Sequence, residues 1–293
     1  MGRPIVVLGG NSALAAELWR WVESDEIPTV LISRSPVRHG AKAKAHRRTV
    51  AADLFLPEGQ DRVIKECEEA SLVVYMIGTS LRRQSELHSD LVRESFMKFL
   101  ATLMDSLHRA NTPVLACSTN LLHLFTKTKQ EPRNLQVDLS QAYTYPDFYT
   151  NCHHALQAAM GRRRGTFWIT LPRIDHGRTP LSTGEVLAWL DGQDSEILVK
   201  EPCTFRRSIP LASASKFVAR AAHRIFMGSE DELEPITTRR ERNLEYFQRQ
   251  VDGFNRDTGS AVSVVASHPV VDHCALCPKE FEPSYVRLER GLK

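Results

Sequence analysis

Six short apolar runs, several rich in β-branched residues, punctuate the first 171 positions: residues 5–8, 29–32, 50–53, 72–77, 113–116 and 167–171. Uninterrupted runs of this length mark strands buried on both faces. Between them lie segments with apolar positions at helical spacing: residues 13–22, 62–70, 91–110 and 148–160. Leu14, Leu18, Trp21 and Val22 share a face of the first, and Phe96, Leu100, Leu103 and Leu107 a face of the third. Strands alternating with helices leave few folds open. They predict βαβ units and an α/β architecture with a doubly wound, mostly parallel sheet. Right-handed crossovers then gather the strand ends on one edge, where ligands bind.

The chain is long enough for a large core, with 293 residues and 42% hydrophobic content. After about residue 175 the rhythm loosens. Residues 191–196 and 228–234 are polar and acidic and read as surface loops. A net charge of +3 predicts neither a nucleic-acid nor a membrane partner. The six cysteines are scattered over a long chain, unlike a secreted disulfide framework. Reduced thiols in a cytoplasm are the expectation. The chain opens directly on a strand, so no signal peptide is expected. No run of about 18 apolar residues would span a bilayer.

The first strand runs into Gly9-Gly10-Asn11-Ser12-Ala13-Leu14 and then a helix. A strand, a glycine turn and a helix N-terminus bring unpaired N–H groups and the positive helix end to one point, where a diphosphate fits. Ser12 and Ala15 stand where glycines would complete a Gly-x-x-Gly-x-x-Gly spacing, and both are small. Arg34 ends the second strand, where an acidic residue would hold a ribose 2′-hydroxyl; an arginine suits a 2′-phosphate. Ser33, Arg38 and residues 42–48 add positive charge or polar groups nearby. The expected cofactor is therefore NADP, with NAD as the alternative. Asp53 and Leu54 are placed to meet an adenine, and Ile77 and Gly78 to pass beneath the adenosine. The competing interpretation is a plain strand–turn connection beside a solvated basic loop.

With these residues in view, the chain resembles the extended short-chain dehydrogenase/reductase family, in its NAD-dependent epimerase/dehydratase branch. Residues 8–15 look like its glycine turn, and Ala52-Asp53-Leu54 like its Asp-Leu adenine contact. Ser95 replaces a structural asparagine, and residues 116–119 are similar to its serine-rich strand end. Tyr149-x-x-x-His153 occupies the Tyr-x-x-x-Lys position. Residues 171–177 are similar to its Leu-Arg-Pro loop, and residues 205–215 to a substrate-lobe stretch whose two aspartates are missing here. Residues 281–293 look like its closing pattern. The resemblance implies a Rossmann-like dinucleotide-binding domain over residues 1–175. A smaller substrate-binding lobe would cover residues 176–293, the chain crossing back into the sheet near 203–226. It also implies a homodimer paired through residues 91–110 and 148–160.

Hydride transfer at a secondary alcohol needs a base for the hydroxyl proton, and a free tyrosine, with a pKa of about 10, is a poor one at neutral pH. A neighbouring cation favours the phenolate. In the family that cation is the lysine, which also bonds the nicotinamide ribose. His153 keeps the spacing of four and so the same helix face. An imidazole is shorter, and an ordinary one is mostly neutral above pH 7. The resemblance thus makes Tyr149 the acid/base, His153 the ribose contact, Ser118 and Thr119 the groups that orient substrate, and Pro172 a cofactor neighbour. Tyr143 and Tyr145 compete for the role of Tyr149. Arg82, Arg83, Arg173, Arg178, Arg206 and Arg207 are candidates to line a cleft for an anionic, nucleotide-linked substrate.

Two functions stand open: an NAD(P)-dependent oxidoreductase or epimerase of a polar hydroxyl or keto substrate, and a nucleotide-binding sensor or partner subunit with little turnover. His268, His273, Cys274 and Cys277 form only half of a zinc pattern, so no metal is expected.

Overall fold

A computed structural model describes residues 2–10, 12–34, 46–77, 90–119, 148–175, 195–199, 202–203, 205–229, 231–267, 270 and 284–292. In chain order its elements are β1 (Ile5–Leu8), a 3-10 turn (Ala13–Ala15), α1 (Ala16–Ser24), β2 (Thr29–Ser33), β3 (Arg47–Ala51), α2 (Pro57–Glu68), β4 (Leu72–Tyr75), α3 (Asp90–Arg109), β5 (Val114–Thr119), α4 (Phe148–Gly161) and β6 (Thr166–Leu171). There follow β7 (Arg173–Asp175), β8 (Glu196–Val199), β9 (Phe205–Pro210), α5 (Leu211–Phe226), β10 (Ile236–Thr237), β11 (Arg239–Arg242), α6 (Asn243–Thr258), β12 (Ser263–Ala266), β13 (Tyr285–Val286) and β14 (Leu288–Arg290).

The main sheet has the order β14-β6-β5-β4-β1-β2-β3. Strands β1 to β6 pair in parallel, and β14 closes the edge antiparallel to β6. This is the 3-2-1-4-5-6 order of a Rossmann sheet, whose topological switch lies between β1 and β4. The α/β fold class expected from the sequence is the one observed.

Compactness divides the chain into two units. The first comprises residues 1–171, 215–236 and 287–293, and the second residues 172–214 and 237–286. In the first unit, side chains alternate between two layers. Val6, Leu8, Val73, Tyr75, Val114, Ala116 and Trp168 share one core with α2, α3 and α4. The stripe Phe96, Leu100, Leu103 and Leu107 of α3 is buried in that core. In the second unit, β9 pairs in parallel with β7 and antiparallel with β11, β8 pairs with β12, and α6 packs against β8, β11 and β12. Arg249 of α6 binds Asp175 Oδ2 at 2.6 Å and both Glu241 oxygens at 2.9 and 3.0 Å, while Ser208 Oγ donates to Glu241 Oε1. Two buried carboxylates thus share one guanidinium and a hydroxyl.

Several boundaries move relative to the sequence pattern. β3 is shifted toward Arg47 because residues 53–56 form a turn instead: Asp53 Oδ1 accepts from Phe55 N at 3.0 Å and Asp53 O from Leu56 N at 3.1 Å. That turn lets α2 begin at Pro57, at a position where a missing N–H costs nothing. β4 ends at Tyr75, and β5 extends to Thr119 because β6 pairs with it up to Leu171. No helix among the described residues is long and apolar enough to cross a membrane.

Candidate active site

The turn after β1 is shaped by contact. Gly9 has φ +81°, and a Cβ there would meet Met76 O at 2.8 Å, so the turn presses against the chain leaving β4. A Cβ on Gly10 would fall on Leu31 Cδ2 and lie 2.9 Å from Trp19 Cζ2. The Trp19 indole donates to Gly10 O at 3.1 Å and is itself capped by the Arg47 guanidinium, 5.0 Å from the ring centroid. Both glycines are therefore required by packing, whatever they bind.

The N–H groups of the turn are drawn inward. Ser12 caps the 3-10 turn, its Oγ accepting from Leu14 N at 3.3 Å, while Ser12 N donates to Gly9 O and Ala15 N to Ser12 O. Ser215 of α5, buried, donates to Leu14 O at 2.9 Å and accepts from Glu17 N at 3.0 Å. Ser215 closes the 205–215 stretch whose aspartates are missing, and its side chain ties α5 to the head of α1. Ala13 follows Ser12 directly, and Asn11 lies outside the described residues.

Arg34 is exposed immediately after β2, on the edge where the strands end, with Ser33 half-buried before it. The rest of the basic run behaves differently. Arg47 and Arg48 start β3, opposite Thr29 and Val30, hence at the other end of the sheet. Arg47 pairs with Glu23 at 3.1 Å, and Arg48 pairs with Glu66, which raises the Arg48 pKa. Arg38 and residues 42–45 lie outside the described residues. Asp53 is half-buried, and Oδ1 is engaged by Phe55 N. Leu54 packs on the core, its carbonyl accepting from Gln60 Nε2 at 2.9 Å; the same amide reaches Ser95 Oγ at 3.3 Å. Ile77 is buried just past β4, and Gly78 lies outside the described residues.

At the other end of the edge, Ser118 sits on β5 in register with Thr170 on β6. Both belong to the sheet face that carries Ala116 and Trp168, the face packed by α4. Ser118 is 5% exposed and Thr170 6%, and among the described residues neither hydroxyl has a hydrogen-bond partner. Their level on α4 follows from helix and strand rises. Thr166 Oγ1 donates to Met160 O at 2.6 Å, which aligns the start of β6 with residue 160. Four strand residues rise about 13 Å, which an antiparallel helix covers in about nine residues. By these rises Thr170 and Ser118 lie toward the N-terminal half of α4, the half that carries His153. His153 is 2% exposed; its neighbour Cys152 contacts Met97 of α3, sulfur to sulfur at 3.5 Å. Thr119 closes β5 and Tyr149 opens α4, and their side chains lie outside the described residues.

Pro172 is buried and heads the second unit, Arg173 leads β7, Arg206 and Arg207 lie on β9, and Arg207 is half-buried. Arg82, Arg83, Tyr143, Tyr145, Arg178, His268, His273, Cys274 and Cys277 lie outside the described residues, among which no metal-ligating cluster occurs. Thr170 is the polar residue of this edge that the sequence pattern missed. Its signal was a hydroxyl inside an apolar strand.

No family model matches the chain, and no curated protein matches it in sequence. Solved structures match its fold. The enzyme WbmH of Bordetella bronchiseptica, in complex with NAD+, aligns with a TM-score of 0.60 at 11% identity, over 97% of this chain and 90% of that one. TunA, an NAD-dependent NDP-hexosamine 5,6-dehydratase of tunicamycin biosynthesis, aligns with a TM-score of 0.57 at 13% identity, over 96% and 88%. A UDP-galactose 4-epimerase aligns with a TM-score of 0.57 at 10% identity, over 91% and 87%. The chain has the fold of the extended short-chain dehydrogenase/reductases of the epimerase/dehydratase type.

Proposed function

We propose that this protein is an NAD(P)-dependent oxidoreductase or epimerase acting on a hydroxyl or keto carbon of a polar, nucleotide-linked substrate. The observation that carries this is the pair of buried hydroxyls, Ser118 and Thr170, in register on the sheet face that α4 covers and without a partner among the described residues. The large majority of buried polar groups in a folded chain have partners. A site that keeps two without one, among the described residues, at the binding edge of a Rossmann sheet, is built for a guest.

The residues fit a dinucleotide at both ends of the edge. The turn of Gly9, Gly10, Ser12, Ala13 and Leu14 stands at the β1–β4 switch and the head of α1, and would hold a diphosphate. Arg34 would select a 2′-phosphate, and Asp53 and Leu54 the adenine. When bound, the nicotinamide supplies a hydride acceptor. The chain's own groups do the rest. Tyr149 moves the proton at its phenol oxygen, Ser118 and Thr119 hold the reacting oxygen, and His153 donates to ribose and supplies what positive charge it carries to Tyr149. Tyr149→Phe should lower kcat at least a hundredfold.

The first test is a titration with NADPH and NADH followed by nicotinamide fluorescence. NADPH should bind, and Arg34→Ala should weaken it about tenfold while sparing NADH. Absence of binding by either at millimolar concentration rejects the proposal. The quaternary form that goes with it is a homodimer paired through α3 and α4; sedimentation as a 33.1 kDa monomer at micromolar concentration rejects that part.

One observation favours the second function, a nucleotide-binding sensor or partner subunit. Ser12 and Ser215 occupy N–H groups at the head of α1. His153→Lys separates the two. A variant that gains or sharply raises turnover points to a scaffold tuned down from catalysis.

A further inference from the structure

We infer that Thr170 is a ligand-binding residue, forming with Ser118 a two-hydroxyl clamp for a vicinal diol. The inference rests on the function proposed above and adds the chemistry of the group this end of the site receives. Thr170 is buried in a strand where valine would have the same shape and an even better fit to an apolar layer. Yet Thr170 is 6% exposed and Ser118 beside it 5%, and neither buried hydroxyl has a hydrogen-bond partner among the described residues. Leaving one such group unsatisfied is costly, and two in register more so. Thr166 sits on the same strand and the same face, and its hydroxyl is used structurally, with the carbonyl oxygens of Met160 and Arg163 at 2.6 and 2.8 Å to take its one proton. The strand can therefore satisfy a buried threonine, and at position 170 it does not.

The chemistry of the guest follows from the pair. Each hydroxyl donates once and accepts twice. Adjacent parallel strands hold them about 4.8 Å apart, measured between backbones. They match a guest presenting two neighbouring hydroxyls. Their neighbours on the same sheet face, Ala116 and Trp168, carry no charge that would select an anion. Two sources offer such a diol: the ribose of a dinucleotide and the hexose of a nucleotide sugar.

The test compares Thr170→Val, Thr170→Ser and Thr166→Val. Calorimetry uses NADPH alone, then UDP-glucose with NADPH present, alongside thermal melts. Thr170→Val is expected to keep or raise Tm while weakening one probe at least tenfold, and Thr170→Ser to restore most of the binding. Loss of NADPH affinity assigns the clamp to ribose, and loss of UDP-glucose affinity alone assigns it to the sugar. Thr166→Val should lower Tm and leave both affinities unchanged. If wild type binds its probes and Thr170→Val binds them equally, the clamp is wrong and the proposed function stands. If Thr170→Val lowers Tm as much as Thr166→Val, the hydroxyl is structural and the clamp is wrong again. Wild type that binds neither probe removes function and clamp together.

Discussion

Ser215 does its work with a single oxygen. It donates to Leu14 O and accepts from Glu17 N, so two backbone groups at the head of α1 depend on it. Ser215→Ala should cost about 2 kcal/mol, read as a shift of the urea midpoint at constant slope. From the sequence this residue was visible only as a departure from a resemblance. Its partner lies 198 positions away, and no local pattern reports a contact of that range. Gly9, by contrast, was legible, because a left-handed φ against a neighbouring backbone admits little else. Two thiols are equally determined by their surroundings. Burial pushes Cys117 up to about 12 and raises Cys67 as well. Both should resist iodoacetamide at pH 8 until the protein is unfolded, as mass spectrometry of labelled peptides would reveal. The sign is that of a raised pKa: the stability tied to neutral Cys117 is complete below its ordinary value of 9.0 and is lost as pH climbs toward 12.

The elements that the sequence announced are those that carry one signal each. β1, β2 and β4 are unbroken apolar runs, and α3 and α4 fall within a residue or two of where their periodicity placed them. α5 and α6 went unread for opposite reasons. In α5 the buried face is small, Ala214, Ala221 and Ala222 around Phe217 and Val218, so the stripe is faint. In α6 polar side chains, Asn243 and Gln250, share the buried face with Tyr246 and Val251. The candidate site divides the same way. Tyr149, His153 and Ser118 were proposed from a resemblance in motif and order, whereas Thr170 became a candidate only when register set it beside Ser118. At the other end of the edge, the β1–α1 connection is a packed joint. Gly10→Ala should cost about 1–3 kcal/mol in a denaturant titration, because Trp19 and Leu31 already fill the space of a Cβ.

At the scale of the molecule, the parallel sheet needs its antiparallel edge. β14 pairs with β6, Glu289 accepts from the Trp168 indole at 3.0 Å, and Gly291 N donates to Thr166 O at 2.9 Å. A chain truncated after residue 286 would expose β6 as an open edge, which invites pairing with another copy. Light scattering on warming should show that variant aggregating below the melting temperature of the full chain. The same strand has a consequence for synthesis. It is made about 120 residues after β6, and at roughly 5–20 residues per second that is an interval of about 6–24 s. During that time a nascent chain holds six parallel strands with one flank bare. A trigger for premature association is thus written into the order of translation, and slow codons downstream of β6 would prolong it.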